Sequence, residues 1–136
     1  MNTNLQNAAA LVGRILLALI FIISGYGKIG GYAGTAGYMA SKGVPMVGLL
    51  LPLTILIELG GGLLIAIGWK ARWAAAVMFL FIIPVTLVFH NPVGLGPAEA
   101  QQQMINLLKN LSIMGGMLGL FAFGPGGFSL DGKQST

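Results

Sequence analysis

Charged residues are scarce in this sequence. Of its 136 residues, only 7% carry a charge while 56% are hydrophobic, and the mean hydropathy is +0.88. Soluble domains average about 25% charged residues. A surface this poor in charge would not stay dissolved in water, so the composition predicts that a lipid bilayer is part of the protein's solvent.

Cysteine is absent, and histidine occurs once, at position 90. A chain without cysteine cannot form disulfides, thiol relays, iron–sulfur ligands or thiolate metal sites. A single histidine cannot supply bis-histidine haem ligation. The seven Lys and Arg are scattered singly and form no basic stripe, which excludes a nucleic-acid surface. The sequence therefore predicts no metal site, no intrinsic cofactor and no nucleic-acid partner.

Four long apolar runs follow one another along the chain. They cover about residues 8–26, 46–69, 71–89 and 104–123. A helix needs about 20 mostly apolar residues to cross a bilayer. The runs therefore predict an all-α fold, a four-helix transmembrane bundle that forms a single domain over residues 1–136.

The connection between the first two runs is long enough for structure of its own. Tyr32, Ala36 and Met39 recur at helical spacing, and Gly43 and Pro45 then resemble a helix stop. We expect a short helix here, lying at the membrane interface or re-entering the bilayer.

Glycine and proline interrupt the apolar runs. Gly60, Gly61 and Gly62 break the second run, and Pro84 lies inside the third. Small residues let helix backbones approach closely in a membrane, and an internal proline bends a helix. Helix packing is the simplest interpretation, although the same residues would also widen the bundle on one side.

The distribution of cations predicts the orientation. With four spans, both termini share a membrane face with Lys70, Arg72 and Lys133, while Lys28 and Lys42 lie on the other. The bias of Lys and Arg toward the cytoplasm places the termini there. Lys70 and Arg72 also lie in a tight turn between two tryptophans, an arrangement typical of a membrane interface.

Ionisable residues within spans are costly, so they normally face the interior and pair with one another. At a helical rise of about 1.5 Å per residue, Arg14, Glu58 and Lys109 fall at similar or adjacent depths on three helices. Glu58 is the only acid within a span, so it is the expected counter-ion.

Polar side chains at helical spacing extend this cluster. Asn106 and Asn110 are one turn apart, as are Thr86 and His90. Together the polar residues predict a pocket that opens to one membrane face, with Glu58 at its floor. We assign catalytic roles to Glu58 and His90, and ligand-binding roles to Arg14, Lys28, Lys109, Asn106, Asn110 and Thr86.

Each of these residues also has a simpler interpretation. Arg14 and Glu58 would form a structural ion pair that fixes helix register, Lys28 and Lys109 would extend to the interface, and His90 would be an interfacial hydrogen-bonding group. Taken together, one carboxylate among several cations leaves a positive pocket, which favours an anionic or quinone-like ligand.

Several motifs resemble the DoxX family and span nearly the whole chain. They include the RILLALIF and SGYGK segments of the first run, the ELGGG of the second, the FH that ends the third, and the KNL of the fourth. The GPGG of the tail and the GYAGT of the first connection also match. The matched positions include Arg14, Lys28, Glu58, His90 and Lys109.

The resemblance implies a small, multi-pass protein of the bacterial inner membrane. The family takes its name from a subunit of a thiosulfate:quinone oxidoreductase, so it also implies a link to quinone redox chemistry. Three hypotheses follow: a quinone-linked oxidoreductase or its membrane subunit, a carrier for a small solute or protons, and a membrane anchor for a soluble redox enzyme. The expected partners are membrane lipid, a quinone ligand, and a soluble redox protein or further copies of this chain.

Overall fold

The computed structural model describes residues 1–134, and all regular structure in that range is helical. Four helices are long and apolar enough to cross a membrane. This confirms the predicted all-α fold with four spans. In chain order the helices are α1 (Thr3–Gly30), α2 (Tyr32–Ser41), α3 (Val47–Ile67), α4 (Ala71–Phe89), α5 (Pro97–Phe123) and α6 (Leu130–Gln134).

The first and fourth spans are longer than their apolar runs. The Asn2 side chain accepts a hydrogen bond from the Asn4 backbone N–H (2.8 Å), which starts α1 before its first apolar residue. Pro97 occupies the first turn of α5, where its missing N–H is not needed. Helix α2 lies in the first connection, where the sequence predicts a short helix, and its depth in the bilayer stays a prediction.

Helix α3 changes its winding halfway along. Leu56–Gly60 form a π-helical turn between two α-helical segments, and Glu58 lies in that turn. Such turns are rare and often lie at functional sites. Pro84, by contrast, lies inside an α4 that is continuous from Ala71 to Phe89.

The turn between α3 and α4 is closed by the C-terminal segment. Gly68 ends α3 at φ 72°, a left-handed conformation that glycine adopts without strain. Both carboxylate oxygens of Asp131 accept backbone hydrogen bonds at the start of α4, from Lys70 (2.8 Å) and Ala71 (2.9 Å). The Asp131 backbone N–H donates to the Gly68 carbonyl (2.9 Å). We call residues 124–134 the tail.

These contacts define two ends of the bundle. The terminal face carries the start of α1, the α3–α4 turn and the tail, since the Gly127 N–H donates to the Asn7 side chain (3.0 Å). The loop face carries the other two connections. Between the faces, a core of apolar residues, four of them alanines, joins the four spans: Ala18, Phe21, Ile65, Ala71, Ala74, Ala75, Met78, Ile82, Met117 and Leu120. Other apolar side chains, such as Leu16 and Leu80, are exposed on the outside of the bundle.

Helices α1 and α3 approach each other closely at Gly25. A Cβ atom added there would lie 2.9 Å from the backbone nitrogen of Leu59, so the two backbones are almost in contact. Small residues permit such approach where no hydrophobic force drives helices together. Gly25 thereby holds α1 against the turn that carries Glu58.

We therefore predict that Gly25→Ala destabilises the protein by about 1–3 kcal/mol, because the added methyl forces two backbones apart. Gly27→Ala is the matched control, since a Cβ atom there meets nothing within 4 Å. Thermal unfolding in one detergent measures both. Equal stability of the two variants would contradict the close packing of α1 on α3.

Candidate functional site

The centre of the candidate site is an ion pair between two spans. Lys28 Nζ of α1 lies 2.8 Å from Glu58 Oε1 of α3. The Glu58 side chain is 8% exposed and that of Lys28 is 27% exposed, so the carboxylate is buried and the ammonium is partly accessible. It is the one ion pair within 4 Å among the side chains that the structure describes.

Lys28 reaches Glu58 because of the direction in which helical side chains lean. Every Cα–Cβ bond of an α-helix tilts toward the helix N-terminus. Lys28 lies near the C-terminal end of α1, so its side chain extends back into the bilayer rather than out to the interface. This geometry excludes the simpler interpretation of Lys28 as a side chain that extends out to the interface.

A cavity of about 170 Å³ adjoins this ion pair. All four spans contribute to its wall, which contains both apolar side chains and polar groups. The polar or charged residues that line it are Ser24, Lys28, Glu58, His90 and Asn110. The cavity therefore brings together four of the eight residues predicted for the site, and it adds Ser24.

His90 is held in place by an amide. Its Nδ1 lies 2.9 Å from the Gln103 Oε1 atom of α5, and the Asn106 Nδ2 donates to the same oxygen (3.3 Å). Because an amide oxygen only accepts, Nδ1 carries the proton. In the neutral ring, Nε2 then remains as an acceptor.

Asn110 and Thr86 form the second fixed contact between α4 and α5. Asn110 Nδ2 donates to Thr86 Oγ1 (3.0 Å), and Thr86 Oγ1 donates to the Ile82 carbonyl one turn earlier (2.7 Å). Thr86 is buried and does not line the cavity, so it orients Asn110. The structure thus joins the predicted polar residues of α4 and α5, but Thr86, predicted to bind the ligand, orients a lining residue and does not line the cavity itself.

The structure does not bring Arg14 to this cavity. Arg14 is 4% exposed and donates to the carbonyls of Ile65 (3.2 Å), Ala66 (3.1 Å) and Phe128 (2.6 Å). The same lean that turns Lys28 inward turns Arg14 toward the terminal face, because both belong to α1. Glu58 is therefore not the counter-ion of Arg14, and the predicted pairing of Arg14 with Glu58 is absent.

Lys109 also lies outside the cavity. Its side chain is exposed, whereas Asn106 and Asn110 are partly buried. Successive residues of an α-helix are about 100° apart, so the residue between two inward-facing positions one turn apart faces elsewhere. The predicted convergence of Arg14, Glu58 and Lys109 is thus replaced by the pair of Lys28 with Glu58.

Two contributors to the site are missing from the sequence prediction. Gln103 lies at the polar start of α5, outside the predicted fourth span, and Ser24 lies in the first span among residues with no predicted role. The signal for Gln103 is its spacing of three residues from Asn106 and seven from Asn110, which places all three on one helix face.

Comparisons with known proteins show what the chain resembles. A family model described as DoxX matches residues 9–91. Inner membrane protein YqjF of Escherichia coli (strain K12) is 43% identical over 127 residues, which cover 93% of this chain and 92% of that protein. Inner membrane protein YphA of the same organism is 36% identical over 121 residues, covering 89% of this chain and 86% of the relative.

A more distant similarity reaches a eukaryotic protein. The Surfeit locus protein 4 homolog of Schizosaccharomyces pombe is 29% identical over 127 residues, which cover 91% of this chain but 37% of that protein. No solved structure matches the chain.

The buried ion pair yields a prediction that a double-mutant cycle tests. Glu58→Leu alone leaves the Lys28 ammonium without a partner, and we expect a cost of about 3–5 kcal/mol. Combining it with Lys28→Met removes both charges, so the double variant should be more stable than Glu58→Leu alone.

The readout is thermal unfolding in detergent, and Glu99→Leu is the control because Glu99 is exposed and forms no ion pair within the described residues. Additive effects of the two substitutions, or equal costs at positions 58 and 99, would show that the ion pair contributes nothing to the fold.

Proposed function

This chain is a small inner-membrane protein of the DoxX family, and from that premise we propose that it is a quinone-linked oxidoreductase or the membrane subunit of one. The ligand's head ring lies in the cavity beside Lys28 and Glu58. Asn110 donates a hydrogen bond to one ring oxygen, and Nε2 of the neutral His90 accepts one from a hydroxyl of the reduced ring. Thr86, Gln103 and Asn106 orient these two side chains.

The observation that carries this proposal is the ion pair beside a cavity with two further polar groups. A charge inside a membrane span is costly and marks a functional site by default. Lys28 and Glu58 lie against a cavity that also has His90 and Asn110 in its wall. An arrangement that served packing alone would need neither the cavity nor the second pair of polar residues.

The polar groups match the chemistry of quinone reduction. A quinone gains two electrons and two protons as its two carbonyl oxygens become hydroxyls. The Lys28 ammonium stabilises the negative charge that builds up on one oxygen and donates a proton to it. The Glu58 carboxylate then takes up a proton from water and passes it to the neutral Lys28 amine, and water supplies the second proton to the other ring oxygen. The electrons come from a partner redox protein, because this chain has no cysteine and one histidine.

The size of the cavity limits what enters it. Pockets for drug-sized ligands measure about 300–1,000 Å³, whereas this cavity measures about 170 Å³. A head ring is therefore the part that binds, and an isoprenoid tail extends between helices into lipid. Tail length should then affect partitioning into the membrane more than affinity for the site.

A proton or small-solute carrier is the second candidate, favoured by the π-helical turn that holds Glu58. Transporter sites commonly lie where a spanning helix is irregular near the middle of the bilayer. Proton flux into liposomes that is lost in Glu58→Gln, without any quinone binding, would establish this function instead. Co-purification of a soluble redox enzyme in stoichiometric amounts, with no ligand in the cavity, would instead establish that the chain is a membrane anchor for that enzyme.

Ligand binding tests the principal proposal directly. Purified protein in nanodiscs is titrated with a short-tailed benzoquinone, and the bound ligand is counted by native mass spectrometry. We expect Lys28→Gln and Glu58→Gln each to weaken binding by about tenfold or more, since hydrogen bonds to charged groups contribute about 1.5–3 kcal/mol. Lys109→Gln is the control, because Lys109 is exposed and outside the cavity.

Two results would contradict quinone binding at this site. One is the absence of any binding by the wild-type protein, and the other is an equal loss in the Lys109→Gln control. Thermal unfolding of each variant separates loss of the ligand from loss of the fold.

The proposed orientation places the terminal face in the cytoplasm. Lys70, Arg72 and Lys133 lie in terminal-face segments, against Lys28 and Lys42 toward the loop face. Because the chain has no cysteine, single substitutions such as Thr3→Cys and Lys42→Cys report their side without background. We expect a membrane-impermeant thiol reagent added to intact cells to label Lys42→Cys and to spare Thr3→Cys. The reverse labelling would place the termini outside.

A further inference from the structure

A second polar region lies at the terminal face, away from the Lys28–Glu58 cavity. There, a cavity of about 740 Å³ opens between the start of α1, the α3–α4 turn and the tail. We call it the headgroup pocket. Its polar and charged side chains are Thr3, Asn7, Lys70, Arg72 and Asp131.

Positive charge is in excess in this pocket. Lys70 and Arg72 have no carboxylate within 4 Å among the described side chains, and both oxygens of Asp131 already accept backbone hydrogen bonds. Arg14 lies in the adjoining wall and donates only to backbone carbonyls. Asp131 also interacts electrostatically with Arg14. Three cations against one carboxylate give this region a positive net charge, so the pocket attracts an anion.

The pocket continues into an apolar groove within the membrane. This groove, of about 360 Å³, runs between α1 and α5 and shares Gly124 and Pro125 with the pocket. We call it the α1–α5 groove. Its other lining residues are Ala10, Gly13, Arg14, Leu17, Gly116, Gly119 and Leu120. Added Cβ atoms at Gly13 and Gly119 would meet nothing within 4 Å, so the groove is open at both helices.

Arg72 lies at the junction of the two spaces. A Cβ atom at Gly124 would be 3.0 Å from Arg72 Nε and 3.1 Å from Nη2, so the guanidinium lies directly against a residue that lines both the pocket and the groove. Trp73 beside it is 74% exposed, and the Lys70 ammonium lies 5.3 Å from the centroid of the Trp69 ring. Exposed tryptophans of this kind mark the headgroup level of a bilayer.

From these observations we propose that the terminal face binds one anionic glycerophospholipid, with its phosphate against Arg72 and Lys70 and one acyl chain in the α1–α5 groove. A guanidinium binds phosphate through paired N–H donors, which favours Arg72 as the principal contact. The groove selects a lipid over a free anion because it accepts an apolar chain that begins at the level of the guanidinium. Most of the surface of α5 is free for such a contact, since only 11% of its 18-residue apolar stretch is buried inside the protein.

This site is independent of the proposed quinone function. It shares no lining residue with the Lys28–Glu58 cavity. Loss of lipid binding therefore leaves quinone binding untouched, and the two proposals fail separately.

Native mass spectrometry of the purified chain tests the headgroup contact. The protein is titrated with phosphatidylglycerol and, separately, with phosphatidylcholine. We expect one phosphatidylglycerol per chain, bound about tenfold more tightly than phosphatidylcholine, and about tenfold weaker binding in Arg72→Gln. Lys42→Gln, which removes a cation from the loop face, should bind as the wild type does. If the Arg72→Gln variant does not fold, the Lys70→Gln variant replaces it, and the same loss of phosphatidylglycerol binding is expected.

A matched pair of glycine variants tests the groove. Gly119 lines it and Gly115 does not, yet both are exposed on α5 with open space around them. Gly119→Leu should reduce phosphatidylglycerol binding by about tenfold, and Gly115→Leu should leave it unchanged. Thermal unfolding in a zwitterionic detergent confirms that each variant is folded.

Three outcomes would overturn the proposal. Equal binding by all variants means non-specific boundary lipid. Competition by a millimolar excess of inorganic phosphate, together with unchanged binding in Gly119→Leu, means a small-anion site without a lipid tail. A dimer that Gly119→Leu breaks and Gly115→Leu preserves means that a second copy of this chain occupies the groove.

Discussion

The hydrocarbon core of a bilayer contains no water, so every buried charge in this protein must be satisfied by the protein itself. The structure meets this requirement in two different ways. Glu58 forms an ion pair with the Lys28 ammonium of a neighbouring span, so the two opposite charges compensate each other. The two terminal nitrogens of Arg14 donate to three backbone carbonyls of α3 and the tail, while its buried Nε has no hydrogen-bond partner and its charge has no ion pair within the described residues. The fold at each end of the bundle depends on one of these solutions.

Both solutions follow from the direction of α1. Its side chains lean toward the terminal face, so two cations fourteen residues apart reach in the same direction along the axis. For Lys28 this direction leads into the bilayer and toward Glu58. For Arg14 it leads out of the bilayer and toward Phe128. A depth estimate from Cα positions alone places Arg14 and Glu58 close together, because it omits the length and lean of the side chains.

The sequence was sufficient to predict the helical fold and its four spans. Length and hydropathy determine the spans, and the cost of burying charge singles out Lys28, Glu58 and Arg14 as candidate buried charges. It was not sufficient to predict which cation pairs with Glu58. That choice depends on the direction in which the α1 side chains lean and on how α1 packs against α3, where a Cβ atom added at Gly25 would lie 2.9 Å from the Leu59 backbone nitrogen. Hydropathy also does not place Gln103 in the fourth span, because the first turns of α5 are helical but polar.

Helix α3 connects the two polar regions while keeping them apart. Glu58 lies in its π-helical turn, and the carbonyls that bind Arg14 belong to Ile65 and Ala66, seven and eight residues later. At about 1.5 Å per residue this separates them by about 10–12 Å along the axis. Sites farther apart than about 7–10 Å, with no shared partner, usually contribute additively to stability. Substitutions at the two ends should therefore act independently, which allows the function of each site to be assigned from its own variants.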